Sequence, residues 1–250
     1  MLNGRLLVGL PVLVFRRHGD HVLVGAALPV LDWSPGSGGL LAGWRPPVLT
    51  VGVDQAVVER GLRAGELACP CGGVLAPWGW ARSRSLRGLG SALRVRPRRG
   101  RCRRCAVTHV LLLVDALLRR ADTVEVIGSA LLGKAGGRGH RVIAEGLGRA
   151  PSTVRGWLRR FGSRAEAVRA AFTALAVALV VDAVLPAPAG RVFTDAVAAV
   201  GAAASATARR FGVPVVSGWR LASAASGGRL LAPGWLDGSR NTSWPWAALM

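Results

Sequence analysis

The spacing of apolar and polar positions changes along the chain, and the changes divide it. Residues 1–47 mix apolar runs with the stretch Trp33-Ser-Pro-Gly-Ser-Gly-Gly and keep neither a helical nor a strand period, so they read as an unassigned N-terminal extension. Residues 48–68 read as a short lead-in: a strand at 48–53, then a short helix whose first turn Asp54 can cap. From Cys69 to about Leu118 the pattern is β-like, with strands at 78–86 and 93–101 around the turn Gly88-Leu89-Gly90. Alternation in Leu93-Arg94-Val95-Arg96 puts apolar groups on one face and guanidinium groups on the other, which predicts a basic hairpin.

At Asp122 the period becomes helical. Asp122 and Glu125 form a capping box, and Val124, Ile127 and Leu131 share one face until Gly136-Gly137 ends the helix. Short helices follow at about 140–147 and 151–161. Two Ala-rich helices at 163–185 and 191–210 are separated by Pro186-Ala-Pro188, and the chain beyond is irregular and Trp-rich. The expected fold is mainly α with a small β-rich, zinc-ribbon-like module at 69–118. A three-helix helix-turn-helix domain at 119–162 and an Ala-rich helical region with an irregular tail at 163–250 complete it. The apolar run at 170–181 stops at Asp182, short of the ~20 residues of a membrane span. The run from Leu6 to Phe15 is interrupted by Pro11 and followed by Arg16, Arg17 and His18, unlike a signal peptide, so the expected location is cytoplasmic with no membrane partner.

Charge narrows the class of function. Lys and Arg total 33 against 13 Asp and Glu over 250 residues, a formal net charge of +20, which favours a polyanionic partner over a typical metabolic enzyme. Lys134 is the single lysine, and the chain holds no Tyr, two Ile and two Asn, as a GC-rich coding sequence produces. Codon bias alone would spread arginine evenly. Instead the net charge is +1 over 1–68, +11 over 69–121, +5 over 122–170 and +3 over 171–250, so function is expected in the middle of the chain.

All four cysteines fall in that middle, as Cys69-Pro-Cys71-Gly-Gly and Cys102-Arg-Arg-Cys105. Two short pairs about thirty residues apart let two turns present four thiolates to one tetrahedral Zn²⁺, which would substitute for a core too small to fold alone. Disulfides are disfavoured by the lack of an export signal, and a redox Cys-x-x-Cys by the lack of a surrounding βαβ unit. The pair Cys69 and Cys71 has one intervening residue where knuckles usually have two, making a tighter turn. His109 could replace a misplaced thiolate, although a histidine beside a strand is more often a polar surface group. Four cysteine ligands would close the coordination sphere, so the metal is expected to be structural.

Residues 140–159 carry the second motif. Ala144 is small where two helices cross, Gly148 supplies a positive-φ turn, and Pro151 suits a first helical position. Val154, Trp157, Leu158 and Phe161 make the inward stripe of the last helix against Ile143 and Leu147. Ser152, Thr153, Arg155, Gly156, Arg159 and Arg160 then face outward, without an acid. Such a face suits double-stranded DNA, with Arg155 reaching base edges, while an ordinary αα-hairpin is the bland alternative. Arg94, Arg96, Arg98 and Arg99 of the basic hairpin are expected to clamp phosphates.

Three further stretches add a resemblance: Cys102-x-x-Cys-x-x-x-His-Val-Leu-Leu, Arg119-Arg-Ala-Asp-x-Val-Glu-Val-Ile-Gly, and Gly139-His-Arg-x-Ile-Ala-x-x-Leu-Gly-Arg-x-Pro-Ser-Thr-Val-Arg-x-Trp-Leu-Arg-Arg-Phe. With the Cys69 pair, they resemble a family from high-GC bacteria whose members look like transposase-associated proteins, with a paired-cysteine module before a helix-turn-helix. The resemblance covers roughly 48–170, and the closing Asn-Thr-Ser-Trp-Pro-Trp is similar to the same group. It implies DNA binding. Residues 1–47 have no counterpart there, as a start codon placed too early would produce. Catalysis is not expected: after the second motif only Glu166, Asp182, Asp195 and Asp237 remain, too few and too scattered for a two-metal carboxylate site. No Gly-rich phosphate loop occurs, and no small-molecule substrate is evident. The leading expectation is a sequence-specific regulator or transposition accessory protein, with a homodimer matching two half-sites. An RNA-binding or protein-assembly factor using the cysteine module is the alternative, and a truncated enzyme subunit a third.

Overall fold

The computed structural model describes residues 12–18, 21–27, 48–180, 182–213 and 216–232. Strands β1 (Val12–His18) and β2 (His21–Ala27) pair antiparallel inside the segment that sequence left unassigned. Neither alternates: β1 is apolar from Val12 to Phe15 and then Arg16-Arg17-His18, and β2 is apolar after His21, which hides the strand period, while Gly19-Asp20 between them is a hairpin signal in the sequence. The Trp-rich tail from 233 lies outside the described residues.

A four-stranded mixed sheet follows, ordered β3 (Val48–Val51), β8 (Thr108–Leu113), β7 (Arg98–Cys102), β4 (Leu75–Trp80). The lead-in is part of it: β3 runs parallel to β8, and α1 (Gln55–Ala64) crosses over to bury Val58 and Leu62 against Val51, Leu75 and Leu111. Asp54 caps α1 through the amides of Ala56 and Val57, as expected. The two long strands expected at 78–86 and 93–101 are instead four short ones. β4 ends at Trp80, β5 (Arg84–Arg87) pairs with β6 (Ala92–Val95) as a separate hairpin, and β7 begins at Arg98. Pro97 causes the second break, because it has no N–H for a ladder and holds Arg96 in a restricted backbone region. Its carbonyl receives the Ala81 amide at the first break. The turn at Gly88 is placed as expected, with its amide on Ser91 O. Val95 is buried while Leu93 is exposed, so the alternation on β6 holds only in part.

Seven helices occur among the described residues: α1, α2 (Val124–Ala135), α3 (His140–Leu147), α4 (Pro151–Gly162), α5 (Ala165–Leu179), α6 (Val192–Phe211) and α7 (Gly218–Ala225). One apolar core joins α2 through α7, running from Leu117 to Leu231, so the helices at 119–162 and those beyond 163 bury one another. α2 lies at the centre, and Gly128 lets the indole of Trp219 approach; a Cβ there would sit 2.2 Å from the ring. No helix among the described residues is long and apolar enough to cross a membrane.

The capping box at Asp122 and Glu125 does not form. Thr123 is the N-cap, its Oγ1 accepting from the Val126 amide at 3.4 Å, and the Glu125 carboxylate accepts from the hydroxyl of Ser217, the N-cap of α7. Asp122 is thereby released for another role. Its buried carboxylate accepts from Arg87 Nη2 at 2.7 Å and from Arg149 Nε at 2.6 Å, and Arg149 Nη2 also reaches Gly88 O at 2.8 Å. One aspartate thus ties the β5–β6 hairpin to the turn between α3 and α4. Removing one partner of a buried ion pair strands the other charge, so Asp122→Ala should lower unfolding stability by about 3 kcal/mol. The larger share belongs to Arg149, because the head of Arg87 is half exposed and screened. Denaturant titration of the variant checks this, and a loss below about 1 kcal/mol would contradict it.

Candidate functional site

Two tight turns carry the cysteines. In the first, the Cys69 amide bonds Gly73 O and the Gly72 amide bonds Cys69 O, with Gly72 at φ +79. Gly73 is required by space: a Cβ would lie 2.7 Å from Cys102 Sγ and 2.6 Å from Arg104 Cβ. This is the physical content of Cys-Pro-Cys-Gly-Gly. In the second turn, the Cys102 amide bonds Val107 O and the Ala106 amide returns to Cys102 O, while the amides of Arg104 and Cys105 point at Cys102 Sγ from 3.4 and 3.5 Å. Ala106 takes φ +59 to close it.

The turns bring all four sulfurs within 4.8 Å of one another, with Cys71 to Cys102 at 3.4 Å and Cys69 to Cys105 at 3.7 Å. A tetrahedron with metal–sulfur bonds near 2.3 Å has edges of about 3.8 Å, so the four thiols have the shape of a closed S₄ metal site. All four are free thiols. The single residue between Cys69 and Cys71 does not prevent the gathering, in which the thiol contacts of 3.4 and 3.7 Å form across the two turns.

His109 is not a surface group. It is 2% exposed on β8, opposite Gly100 on β7, with Nε2 3.2 Å from Cys69 Sγ and Nδ1 without a partner among the described residues. Burial lowers its pKa to about 4, so the ring is neutral and the Nε2–H tautomer donates to Cys69 when that sulfur is a thiolate. Its position four residues past Cys105 gave it as a substitute ligand, but the pairing of β7 with β8 makes it a neighbour of the complete set. Burial also pushes the Cys69 thiol well up and the Cys105 thiol up. For Cys71, burial acts upward as well, but the Gly73 amide and the surrounding thiols outweigh it and bring the pKa down to about 7.

On α4, Val154, Trp157, Leu158 and Phe161 are buried, while Ser152, Arg155 and Arg159 are exposed at helical spacing. Thr153, Gly156 and Arg160 are half-buried, and Arg160 Nη1 turns back to Gly156 O at 3.1 Å. Gly148 is left-handed at φ +60, and Pro151 opens α4. Sequence reading missed Arg119 and Arg120. Burial lowers the Arg120 pKa, and the positive charges of Arg160 and Arg119 add to this, so α4 borders a cationic patch. The signal was the pair Arg119-Arg120, one residue ahead of Asp122, passed over as a boundary.

The four hairpin arginines part company. Arg94 and Arg96 are exposed on and just after β6. Arg98 is only 11% exposed in its side chain and is held by Glu59 at 2.6 Å, Gly79 O and the Trp80 ring. Arg99 is half-buried with its Nε unpartnered among the described residues.

The thiol ordering has a direct readout in protein stripped of metal. Cys71, with a pKa near 7, should be the first cysteine alkylated by iodoacetamide, and its rate should climb as pH rises through 7 while Cys69 and Cys105 stay protonated and slow. Mass spectrometry of peptides after a short pulse checks this, and equal labelling of all four would contradict it. No protein-family model, curated protein or solved structure matches the chain, so its function is argued from its own geometry.

Proposed function

We propose that the protein binds double-stranded DNA in a sequence-specific manner, with α3 and α4 as a helix-turn-helix, as a transcriptional regulator or transposition accessory protein. The observation that carries this reading is the exposed, acid-free face of α4, Ser152, Arg155 and Arg159, set on a helix whose other face is fixed in the core. A helix of this kind enters the major groove with its first turns toward the bases. Ser152 at the start can bond a phosphate or base edge, and Arg155 can make the bidentate contact to guanine that arginine favours. The β5–β6 hairpin stands beside the α3–α4 turn through Arg149 and Gly88, which suits Arg94 and Arg96 as phosphate contacts. Arg98 is left out of that set, because it is bound to Glu59. The resemblance to transposase-associated helix-turn-helix proteins supports the same assignment.

The four cysteines are assigned a structural Zn²⁺ in this reading. Sulfur ligation and near-tetrahedral spacing suit zinc, four thiolates leave no open position for water, and the ion would hold the turns that flank β4 and β7. Metal analysis of protein purified under reducing conditions should give one zinc per chain, and Cys105→Ser should lose it. Metal-free protein with an unchanged melting curve removes the assignment.

Selection from random duplexes, followed by titration at several salt concentrations, tests DNA binding. Arg155→Ala should cost ~1–3 kcal/mol at the selected sequence and relax preference at one or two positions. Arg94→Ala or Arg96→Ala should weaken all duplexes alike and lower the salt slope by about one unit. Selection that enriches no sequence, with binding insensitive to Arg155, would leave α4 a structural helix.

A further inference from the structure

The cysteine module carries a second surface, which shares only Arg96 with the duplex contacts proposed above. Trp78 is 52% exposed and Trp80 is 38% exposed on β4, the edge strand of the four-stranded sheet. Large aromatic side chains are seldom left this open, and neither is loose. The guanidinium of Arg101 lies 4.5 Å from the Trp78 ring centre, and those of Arg98 and Arg96 lie 4.7 and 5.7 Å from that of Trp80. The Trp78 indole is thus held by one cation and the Trp80 indole by two, and both rings remain partly open to solvent.

A bulge sets this arrangement. Pro77 pairs with Gly100 and Trp80 with Arg98, so Trp78 and Gly79 together oppose Arg99. Gly79 takes φ +92, where a side chain would be strained although a Cβ there would meet nothing within 4 Å, so the glycine serves backbone shape alone. Arg98 and Arg101 are three residues apart on β7 and project to opposite faces of the sheet. The bulge turns the two indoles with them, one to each side of the edge.

The same edge is strongly cationic. Arg103 and Arg104 are exposed beside the first cysteine turn, where the Arg103 amide bonds Val74 O, and Arg82 and Arg96 are exposed at the other end of β4. From 69 to 121 the only acid is Asp115, which is buried and ion-paired with Arg220. Glu59 behind the sheet is bound by Arg98 and Arg63.

We propose that this edge is a binding site for single-stranded nucleic acid, with Trp78 and Trp80 stacking on unpaired bases and the surrounding arginines following the phosphates. Interleaved aromatic rings and guanidinium groups are the chemistry that reads single strands without strong sequence preference. A duplex keeps its bases stacked and offers none to an indole. A protein strand is disfavoured as occupant, because Pro77 has no N–H to donate and the bulge breaks the hydrogen-bonding edge.

Fluorescence-anisotropy titrations of the full-length, metal-loaded chain test the site, using labelled oligothymidylate and oligouridylate of about 12 nucleotides. Trp78→Ala should weaken the better-bound oligonucleotide about tenfold, Trp78→Phe should restore most of the affinity, and both should leave duplex binding unchanged. Binding of either oligonucleotide in this pattern supports the site, and their relative affinities identify the backbone. Trp78 is exposed, and circular dichroism shows whether its variants stay folded; if Trp78→Ala does not, Arg101→Gln replaces it with the same expected selective loss. Oligonucleotide affinity unchanged in the variants, or reduced in proportion with duplex affinity, overturns the proposal. Failure of duplex binding with single-strand binding intact would instead count against α4 alone, so the two readings fail separately.

Discussion

A buried carboxylate holds the β5–β6 hairpin against the turn between α3 and α4. Asp122 sits where the chain leaves the sheet region and enters α2, and its charge can remain in the interior only because Arg87 and Arg149 meet it there. Apolar residues in place of the aspartate and both arginines together could pack with equal or greater stability. They could not hold the hairpin loop to the α3–α4 turn as Arg149 does. With Asp122 in place, the Arg149 guanidinium spans the carboxylate and the carbonyls of Gly88, Leu147 and Gly148, and the hairpin loop is held to the α3–α4 turn. Backbone bonds from Arg87 to Ala121 O and from Thr123 to Arg87 O run beside the ion pair and set its register. The ion pair therefore specifies geometry more than it adds stability.

The cysteine module depends on a different constraint. Its apolar core is small: Val51, Val58, Leu62, Leu75 and Leu111 enclose Cys69 and Cys102. Four thiols in mutual contact add little cohesion, and burial makes ionisation of Cys69 and Cys105 unfavourable. A divalent cation among the sulfurs would reverse that balance by stabilising all four thiolates, with the amides of Arg104 and Cys105 and the ring of His109 already aimed at Cys102 and Cys69. The turns are shaped for sulfur acceptors in advance.

Some elements were legible in the sequence because local chemistry determines them. Gly148, Pro151 and the stripe Val154, Trp157, Leu158, Phe161 each have one steric reason to be where they are, and α3 and α4 follow. The two cysteine turns were legible for the same reason. Elements fixed by long-range partners were not. Thr123 outcompetes Asp122 as a cap because Arg149, 27 residues on, claims the aspartate. His109 looks like a surface residue until β7 pairs with β8 and puts it on Cys69. The division of the long expected strands at Pro97 was a local signal passed over, whereas the bulge between Pro77 and Trp80 needed the partner strand to reveal it.

The distribution of acids explains why so basic a chain folds and where its charge remains available. Acidic groups are scarce, and most sit on a structural partner: Glu59 on Arg98, Asp115 on Arg220, Asp122 on Arg87 and Arg149, Glu166 on Arg169, Asp182 on Arg209. Asp54 and Asp195 accept backbone amides, and Glu125 accepts a hydroxyl. Acids so used cannot also neutralise the exposed arginines of α4, of the β5–β6 hairpin or of the β4 edge. Repulsion among those cations is tolerable at the surface, where solvent and salt screen it. It also leaves them poised for a ligand that brings many negative charges at once, since each phosphate then relieves repulsion and releases counterions in the same step. Under the two proposals these cationic surfaces would take different polyanions: the face of α4 a duplex groove, and the ringed edge of β4 bases that are free to stack.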